Sequence, residues 1–474
     1  MTAVVVGSGP NGLAAAVALA QAGLRVTVLE AADTIGGGTR TAELTLPGLK
    51  HDVCSAIHPF AVGSPYLASL PLQEHGLVWR WPEVDVAHPL DDGTAGVLLR
   101  SIDDTAAGLG PDGPRWRALF GPLARRFDVL APQVLGPVLS VPRHPFAMAA
   151  FGLRAAMPAT VVARAFRTEQ ARALWAGCAA HVYRPLTGPL TSAVGVALVA
   201  GGHRHGWPVA EGGSAAITRA LASLLESLGG TVVTGTTVRS LDDLPPAEVV
   251  LFDTSPTAFA EIAGDRVPAP RAKALRRWRY GPAAFKVDLA VRGGVPWTAE
   301  AARRAGTVHL GGTAAEVARA EAEVAAGRMP ERPFVLVGQQ HLADPTRSAG
   351  DVHPVWAYAH VPHAWQGDVT EQLLGQVERF APGFRERVVG SHVMTPADYE
   401  AYNANYVGGD IATGLNSARQ IVARPVLSTD PYATGVPGLF LCSAATPPGA
   451  GVHGMCGFHA ARSALSWLGR QPDR

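Results

Sequence analysis

Lysine is nearly missing from this chain of 474 residues. It occurs three times, at Lys50, Lys273 and Lys286, so arginine supplies 37 (40 − 3) of the 40 basic residues. Because arginine serves wherever a positive surface charge is enough, a lysine inside an apolar segment is unusual in this chain. Lys286 lies in such a segment.

Cysteine is scarce, and the motifs of several enzyme classes are missing. The four cysteines form no CxxC pair, which argues against disulfide-reductase flavoenzymes and indicates reduced thiols in a cytosol-like compartment. No HExxH or GxSxG motif occurs, so neither a metal site nor a serine-hydrolase elbow is predicted.

Strong charge and long apolar runs are also missing. The net charge is +1, which gives no reason to expect a nucleic-acid partner. No run of about 18 apolar residues predicts a transmembrane helix. An apolar strand that starts at residue 3 leaves no room for a signal peptide, so we expect a cytoplasmic protein.

Glycine, in contrast, marks three segments, and the first is the most informative. A strand at residues 3–6, a glycine turn, a small-residue helix and a strand at 25–29 precede an acid, as a dinucleotide-binding fingerprint requires. The three glycines permit the tight turn, the approach of a pyrophosphate and close helix packing, and the acid disfavours NADP. The predicted contacts are Gly7, Ser8, Gly9, Pro10, Asn11, Gly12, Glu30 and Ala31.

The second glycine segment, residues 35–41, favours FAD over NAD. It resembles the GG motif of two-domain flavoproteins, which packs along the FAD pyrophosphate, with an arginine as a phosphate donor. A flexible surface loop is the alternative. The predicted contacts are Gly36, Gly37, Gly38, Thr39 and Arg40.

The third glycine segment, residues 438–455, is an apolar strand, a Gly/Pro loop and a helix N-terminus near Met455. This arrangement suits the ribityl chain of a flavin and the electron-rich N1/C2=O edge of its ring, because a helix N-terminus stabilises negative charge. A purely structural elbow between strand and helix is the alternative.

The order of these segments predicts an α/β chain with interleaved domains. A Rossmann-type FAD-binding domain comprises residues 1–80, 205–270 and 425–474, and an α+β substrate domain comprises 81–204 and 271–424. Residues 85–200 are predicted to be rich in helices, and antiparallel strands are predicted after residue 283.

Taken together, the segments resemble the phytoene-desaturase-related branch of the two-domain FAD oxidoreductases, over nearly the whole chain. The branch of the pyridine nucleotide-disulphide oxidoreductase domain-containing protein is nearer than the carotenoid desaturases. The resemblance implies non-covalent FAD and an apolar substrate that enters between the domains. It extends the predicted FAD contacts to Val238, Ser443, Ala444, Gly454 and Met455.

One departure from the wider superfamily concerns Ser443 and Ala444, which stand where many relatives have Gly-Asp. The Asp of those relatives binds the ribityl hydroxyls. Ser443 or the backbone must serve in its place, and because carotenoid desaturases also lack the Asp, the prediction of FAD is unchanged.

Two residues are candidates for catalysis. Lys286 shares a strand face with Asp288 and alanines, and in amine-oxidase-like relatives a lysine on a comparable strand holds a water at flavin N5. A structural pair of Lys286 with Asp288 is the alternative. His453 in the terminal loop is the second candidate, against a structural histidine.

Other residues receive weaker assignments. His58, His205 and Trp207 are expected to border the substrate, and His360 to lie in a surface loop. Asp344 and Asp410 are interpreted as turn and loop residues.

Residues 142–166 have two open interpretations. Their apolar side chains and marginal arginines fit an interfacial helix that draws a lipophilic substrate from a membrane. A buried helix of the substrate domain is the alternative, so peripheral membrane contact is an open expectation.

The predicted activity is desaturation of an apolar substrate by hydride transfer to flavin N5. No second GxGxxG follows a strand, so oxygen or a quinone is the expected electron acceptor. A flavin-dependent isomerase, an amine oxidase and a non-catalytic, FAD-stabilised interaction protein are the alternatives. The sequence names neither the substrate nor the oligomeric state.

Overall fold

The computed structural model describes residues 1–469. Two large sheets organise these residues. In chain order, the strands are β1 (Thr2–Val6), β2 (Arg25–Leu29), β3 (Thr41–Ala42), β4 (His51–Asp52), β5 (Trp79–Arg80), β6 (Val84–Pro89), β7 (Ala95–Leu98), β8 (Val209–Ala210), β9 (Thr231–Val233), β10 (Val249–Phe252), β11 (Ala283–Arg292), β12 (Ala305–Leu310), β13 (Val335–Gly338), β14 (Val352–Val361), β15 (Val388–Met394) and β16 (Leu439–Leu441).

The helices of the same residues cover the two sheets and form one separate helical layer. They are α1 (Pro10–Gln21), α2 (Pro59–Val62), α3 (Ile102–Gly108), α4 (Gly113–Arg125), α5 (Phe127–Val134), α6 (Pro145–Ala155), α7 (Ala159–Ala163), α8 (Glu169–Ala180), α9 (Ser192–His205), α10 (Ala215–Ser227), α11 (Pro256–Ala263), α12 (Ala269–Arg276), α13 (Ala314–Ala325), α14 (Thr370–Phe380), α15 (Pro396–Tyr402), α16 (Ala418–Val422) and α17 (Met455–Leu468).

The first sheet is parallel, in the order β16-β10-β1-β2-β9. Its strands are short apolar runs, as expected of a sheet that is covered on both faces. Helix α1 packs between this sheet and α10 and α17, which explains why it is apolar on every side. The arrangement is a Rossmann-type domain built from three separate stretches of the chain.

The second sheet is mixed, in the order β15-β11-β14-β13-β12-β6-β7. The long strands β11 and β14 pair antiparallel over ten positions, from Ala283 with Val361 to Arg292 with Val352. One face packs on α14, and the other faces the helical layer of α8 and α9. The predicted fold class, α/β with a Rossmann-type domain and an interleaved α+β domain, is confirmed.

Several local predictions need correction. Residues 85–200 are rich in helices, as predicted, but the unpredicted strands β6 and β7 form a hairpin there that joins the second sheet through β12. The sequence favours a further strand at residues 237–241, and the structure forms none there. His360 is buried within β14 rather than in a surface loop. The domain boundaries stay a prediction.

None of the helices in residues 1–469 has the length and apolar character that a membrane span requires. Residues 142–166 form two short helices, α6 and α7, with a break at Pro158. Helix α6 buries Ala147, Phe151 and Ala155 and leaves Phe146 and Leu153 exposed, so it combines features of both interpretations.

Candidate active site

A single cavity of about 1070 Å³ runs along the carboxyl edge of the parallel sheet and continues to the second sheet. All five parallel strands place residues on its wall just beyond their ends: Gly7 after β1, Glu30 after β2, Thr236 after β9, Asp253 after β10 and Ser443 after β16. The carboxyl edge of an open parallel sheet is where ligands bind in α/β folds.

The turn after β1 is shaped by its glycines. Gly7 has a φ of +103°, a conformation that favours glycine. A Cβ on Gly12 would overlap the carbonyl oxygen of Gly7, so only glycine lets α1 approach β1 this closely. A Cβ on Gly9 would lie 2.6 Å from Oδ2 of Asp253. The turn therefore places the backbone of Gly9 and Asn11 on the cavity wall at the start of α1, whereas the N–H of Gly12 donates to Asp253.

Glu30 ties the two glycine turns together. Its carboxylate accepts hydrogen bonds from the backbone N–H groups of Ser8 and Ala32, both at 2.9 Å, and from the Ser8 hydroxyl. It also lies 3.5 Å from the guanidinium of Arg40. Its predicted contact with the cofactor stays a prediction, since both carboxylate oxygens already have protein partners.

The second glycine turn packs directly on the first. A Cβ on Gly37 would lie 2.9 Å from the Cα of Gly9. Arg40 donates to the carbonyl oxygen of Thr34 at 2.8 Å and lies over the ring of Tyr402, 5.2 Å from its centroid. The two turns thus form one continuous glycine wall beside a half-buried cation.

The third glycine segment closes the far end of this wall, and His453 organises it. Nδ1 of His453 accepts from the backbone N–H of Met455 at 3.0 Å, and Nε2 lies 3.2 Å from the carbonyl oxygen of Gly449. Burial lowers the pKa of His453 to about 4, so the ring is neutral at pH 7. Both ring nitrogens serve the loop and the start of α17, which is a structural arrangement.

Fourteen of the eighteen predicted cofactor contacts line the cavity. The other four lie behind its wall, where they shape the backbone: Gly12, Gly36, Gly454 and Met455. His453 also lines the cavity, whereas Lys286 does not.

Lys286 is buried against the protein rather than open to the cavity. Its ammonium donates to the carbonyl oxygens of Asp52 at 2.8 Å and Val53 at 3.1 Å, and it pairs with Asp288 at 2.7 Å. These partners account for its three N–H donors, which leaves none to hold a water. The contacts fix the segment that continues into the cavity wall at Cys54.

Burial raises the pKa of Asp288, but Lys286 and the neighbouring histidines lower it, and the net shift is downward. The carboxylate is therefore ionised and depends on Lys286 as its counter-charge. This geometry favours the structural interpretation of the pair.

Two charged residues of the cavity wall have no role predicted from the sequence. Asp253 follows an apolar strand end, and its Oδ2 accepts from the N–H of Gly12 at 2.9 Å. Burial raises its pKa to about 7, and Glu30 adds to the shift. Arg424 is buried beside the third glycine segment. The position of Asp253 after a strand was a usable signal, and Arg424 belongs with Pro425 to a segment of the family resemblance that carried no assigned role.

The substrate-domain end of the cavity is apolar and aromatic, with a few neutral polar groups. Trp207, Trp356 and the paired hydroxyls of Tyr183 and Tyr358, 3.1 Å apart, contribute to it. His181 completes this wall, with Nε2 at 3.1 Å from Nε2 of His309, and burial lowers its pKa to about 3. His58 also lines the cavity, whereas His205 pairs with Asp128 away from it.

Backbone strain is concentrated at this cavity. Four residues other than glycine have a positive φ within residues 1–469: Tyr183, Leu190, Ala364 and Thr413. Three of them, all but Ala364, line the cavity. Such conformations persist where the surrounding structure imposes them, and they cluster at functional sites.

The wall also carries buried polar atoms that have no protein partner. They include Oδ1 of Asn11, Oγ1 of Thr254 and Oγ1 of Thr413 on the nucleotide side, and Nε1 of Trp207 and Oγ1 of Thr307 on the substrate side. Because buried polar groups are nearly always hydrogen-bonded, these atoms are available to a bound group or to water. The glycine cradle and these atoms fit a dinucleotide. Residues 1–469 contain no cluster of acidic, His or Cys side chains arranged to hold a metal.

Comparison with known proteins agrees with this geometry. A family model described as the NAD(P)-binding Rossmann-like domain matches residues 5–70. The pyridine nucleotide-disulfide oxidoreductase domain-containing protein 2 of Rattus norvegicus is 26% identical, over 97% of this chain and 92% of that protein. The chain is homologous to that protein. The resemblance to the branch of this protein, predicted from the sequence, is thereby confirmed.

Solved structures confirm the two-domain fold. An oxidoreductase from Methanosarcina mazei has a TM-score of 0.62 at 16% identity, covering 98% of this chain and all of that one. Wild-type putrescine oxidase bound to putrescine has a TM-score of 0.62 at 18% identity, covering 99% of this chain and all of that one. At these identities the likeness concerns the fold alone.

Proposed function

We propose that this chain is an FAD-dependent oxidoreductase that desaturates an uncharged, largely apolar substrate, with oxygen or a quinone as electron acceptor. The names of its relatives and of the solved structures with this fold support an oxidoreductase. The glycine wall and the unpartnered polar atoms support a bound dinucleotide, and the length of the cavity beyond them leaves space for a substrate.

FAD in this site would supply the hydride acceptor, and the protein would bind, orient and shield it. The start of α1 and Arg40 would hold the pyrophosphate. Ser443 and the backbone of Ala444 would serve the ribityl chain, in place of the missing Asp. The aromatic wall around Trp207 and Trp356 would exclude water from the reacting bond.

The observation that carries the choice of substrate is the absence of acids at the substrate end. The only Asp or Glu residues on the cavity wall within residues 1–469 are Glu30 and Asp253, both at the nucleotide end. An alkylammonium ion beside Trp356 and Tyr358 would be a buried charge with no counter-charge on the cavity wall, which costs several kcal/mol. This disfavours an amine oxidase and favours a neutral substrate.

The hydroxyl pair of Tyr183 and Tyr358 adds one polar feature to that wall. Burial raises the pKa of both phenols, so both are protonated. One of the two hydroxyls donates its hydrogen to the other. The accepting hydroxyl therefore keeps its own hydrogen free for another acceptor. That hydrogen can bind a neutral oxygen of the substrate and so orient it against the sheet.

The test is a spectrum of the purified protein, photoreduced without oxygen and then exposed to air or to a soluble quinone. We expect a flavin spectrum that bleaches and returns, followed by flavin reduction with neutral apolar compounds and not with alkylamines. Reduction by alkylamines would favour an amine oxidase instead. Product formation only with pre-reduced flavin, without net oxidation, would identify an isomerase. Bound flavin that no reductant reaches would indicate a structural cofactor.

We also propose that the cavity opens toward a lipid surface. Val138, Ser140 and Pro142 line the cavity and are exposed, so they belong to its rim. Val141 and Phe146 beside them are 92% and 88% exposed. Residues 129–168 contain four arginines and no Asp or Glu. An apolar rim with positive charge fits the interface of an anionic bilayer, from which a lipophilic substrate would enter.

A further inference from the structure

Arg424 is a buried cation that forms no direct ion pair. Only two arginines of residues 1–469 are buried, Arg347 and Arg424. Arg347 pairs with the carboxylates of Asp52 and Asp344. Arg424 forms no direct ion pair within residues 1–469, although the buried carboxylate of Asp410 acts on it from beyond ion-pair distance. A buried charge with only a distant counter-charge is costly, so an anionic group in direct contact would stabilise it.

The contacts of Arg424 leave part of its guanidinium free. Nε donates to the carbonyl oxygen of Ala444 at 3.1 Å, and Nη1 donates to Oδ1 of Asn416 at 3.1 Å. Nη2 lies 3.5 Å from the carbonyl oxygen of Ala412. A guanidinium has five N–H donors, so two remain for another acceptor. Arg424 also lines the cavity.

The position of Arg424 in the fold indicates which part of a bound cofactor its guanidinium would contact. The guanidinium lies against the third glycine segment, where a Cβ on Gly449 would be 3.4 Å from Cζ of Arg424. The phosphate-binding features, Arg40 and the start of α1, belong to the first two glycine turns, in other parts of the chain. At the start of α17 the N–H of Met455 already donates to His453, so this helix offers one N–H fewer to an anion.

We propose that Arg424 is the counter-charge for the negative charge that the flavin pyrimidine edge, N1 and C2=O, carries after reduction. The inference rests on the proposed function, since it requires FAD in this cavity. Transfer of a hydride to N5 delivers two electrons and one proton, and the resulting negative charge on N1 and C2=O is balanced by Arg424. The guanidinium keeps its protons throughout.

Sulfite provides a test that needs no substrate and no turnover. It adds to flavin N5 and leaves the same negative charge on the pyrimidine edge. In the FAD-loaded protein, we expect Arg424→Met to raise the Kd for sulfite at least tenfold and to make the reduction potential of the flavin more negative. Arg424→Lys keeps the charge and is expected to recover most of both values.

Arg385→Met is the control, because Arg385 pairs with Glu371 on the surface and does not line the cavity. We expect it to keep FAD and to bind sulfite as the wild type does. Wild-type sulfite affinity and potential in Arg424→Met would overturn the inference. So would complete loss of FAD from a folded Arg424→Met protein, because the charge would then serve the pyrophosphate.

If Arg424→Met does not fold, the spectrum of the wild-type protein tests the inference instead. We expect its photoreduced flavin to keep the spectrum of the anionic form across neutral pH and below the pH at which free reduced flavin becomes neutral. A neutral reduced flavin at that pH would contradict the inference. Protein that binds no FAD would defeat the proposed function itself, whereas bound FAD with failed sulfite and spectral results would defeat only this inference.

Discussion

Arg347 and Asp52 form an ion pair that is closed off from solvent on both sides. Nη1 of Arg347 donates to Oδ2 of Asp52, and Nη2 donates to the carbonyl oxygen of Ala210 at 2.7 Å. Oδ1 of Asp52 accepts from the N–H of Ser214 at 2.7 Å. The pair thus joins the loop between β13 and β14, which carries Arg347, to β4 and to the segment before α10.

Arg347→Met is expected to destabilise this junction. It leaves the carboxylates of Asp52 and Asp344 buried without a counter-charge, which costs about 3–5 kcal/mol. The free energy of unfolding, from urea titration, should fall by that amount, and FAD retention should fall with it. Arg385→Met is the control, because Arg385 pairs with Glu371 on the surface, where an ion pair contributes about 0–1 kcal/mol. Equal stability of the two variants would contradict the assignment.

The parts of the site that the sequence predicted are those in which local chemistry decides the structure. The turn at Gly7, Gly9 and Gly12 follows from backbone geometry, and neighbouring residues reveal it. The order and type of most Rossmann strands follow from short apolar runs and glycine caps in the same way. Strand β6 was missed because its pairing with β12 joins distant parts of the chain.

Residues that act across the fold were harder to interpret. Asp344 was assigned to a turn, and it does cap the turn Pro345–Arg347, yet it is buried and also binds Arg347 and the N–H of Gly212. Arg424 and Asp253 meet the glycine segments only in the folded chain. Their roles depend on distances between elements, which no window of the sequence contains.

Lys286→Met is expected to act on stability, since the ammonium is the counter-charge of buried Asp288. We expect the free energy of unfolding to fall by about 3 kcal/mol or more. Adding Asp288→Asn removes the orphaned charge and should restore part of that loss. The same variant tests the catalytic prediction: slower flavin reduction or reoxidation in the FAD-loaded protein, at unchanged stability, would support a role at N5 and contradict the structural one.

Gly12→Ala is expected to abolish FAD binding, because its methyl group would overlap the carbonyl oxygen of Gly7 and force α1 away from β1. FAD content after purification and the melting temperature measure the two effects. Gly375→Ala in α14 is the matched control, since a Cβ there meets nothing within 4 Å. An alanine in a helix stabilises by about 0.5–1 kcal/mol relative to glycine. A fully loaded Gly12→Ala protein would contradict the fingerprint interpretation.

Asp253 should make the protein sensitive to pH near neutrality. Its pKa is raised from 3.8 to about 7, so the folded protein binds more protons than the unfolded chain between these values, and stability is lost as the pH rises through them. The carboxylate lies at the start of α1, where the FAD phosphates would bind, so its ionised form repels them. We expect FAD affinity to fall by up to about tenfold per pH unit above pH 7.

Fluorescence quenching of FAD, titrated at several pH values, measures this affinity. Asp253→Asn keeps an oxygen that can accept from Gly12 and removes the titration, so its affinity should be nearly independent of pH in the same range. The two proteins are compared at constant ionic strength, because salt also screens the phosphates. Parallel pH profiles in wild type and variant would assign the dependence to another group.

The apolar rim of the cavity should bind anionic membranes. Phe146 and Leu153 are 88% and 72% exposed on α6, and both face away from its buried side. Insertion of these side chains, together with attraction of Arg143 to anionic headgroups, predicts cosedimentation with phosphatidylglycerol vesicles that salt weakens. The double variant Phe146→Ser with Leu153→Ser should lose most of this binding and keep its FAD. Leu427→Ser, at a residue 71% exposed elsewhere in the chain, should sediment as the wild type does. Vesicle binding that survives the double variant would show that α6 does not contact the membrane. An equal loss of binding in the double variant and in Leu427→Ser would show the same. The exposed face of α6 would then be better explained as a contact with a second copy of the chain.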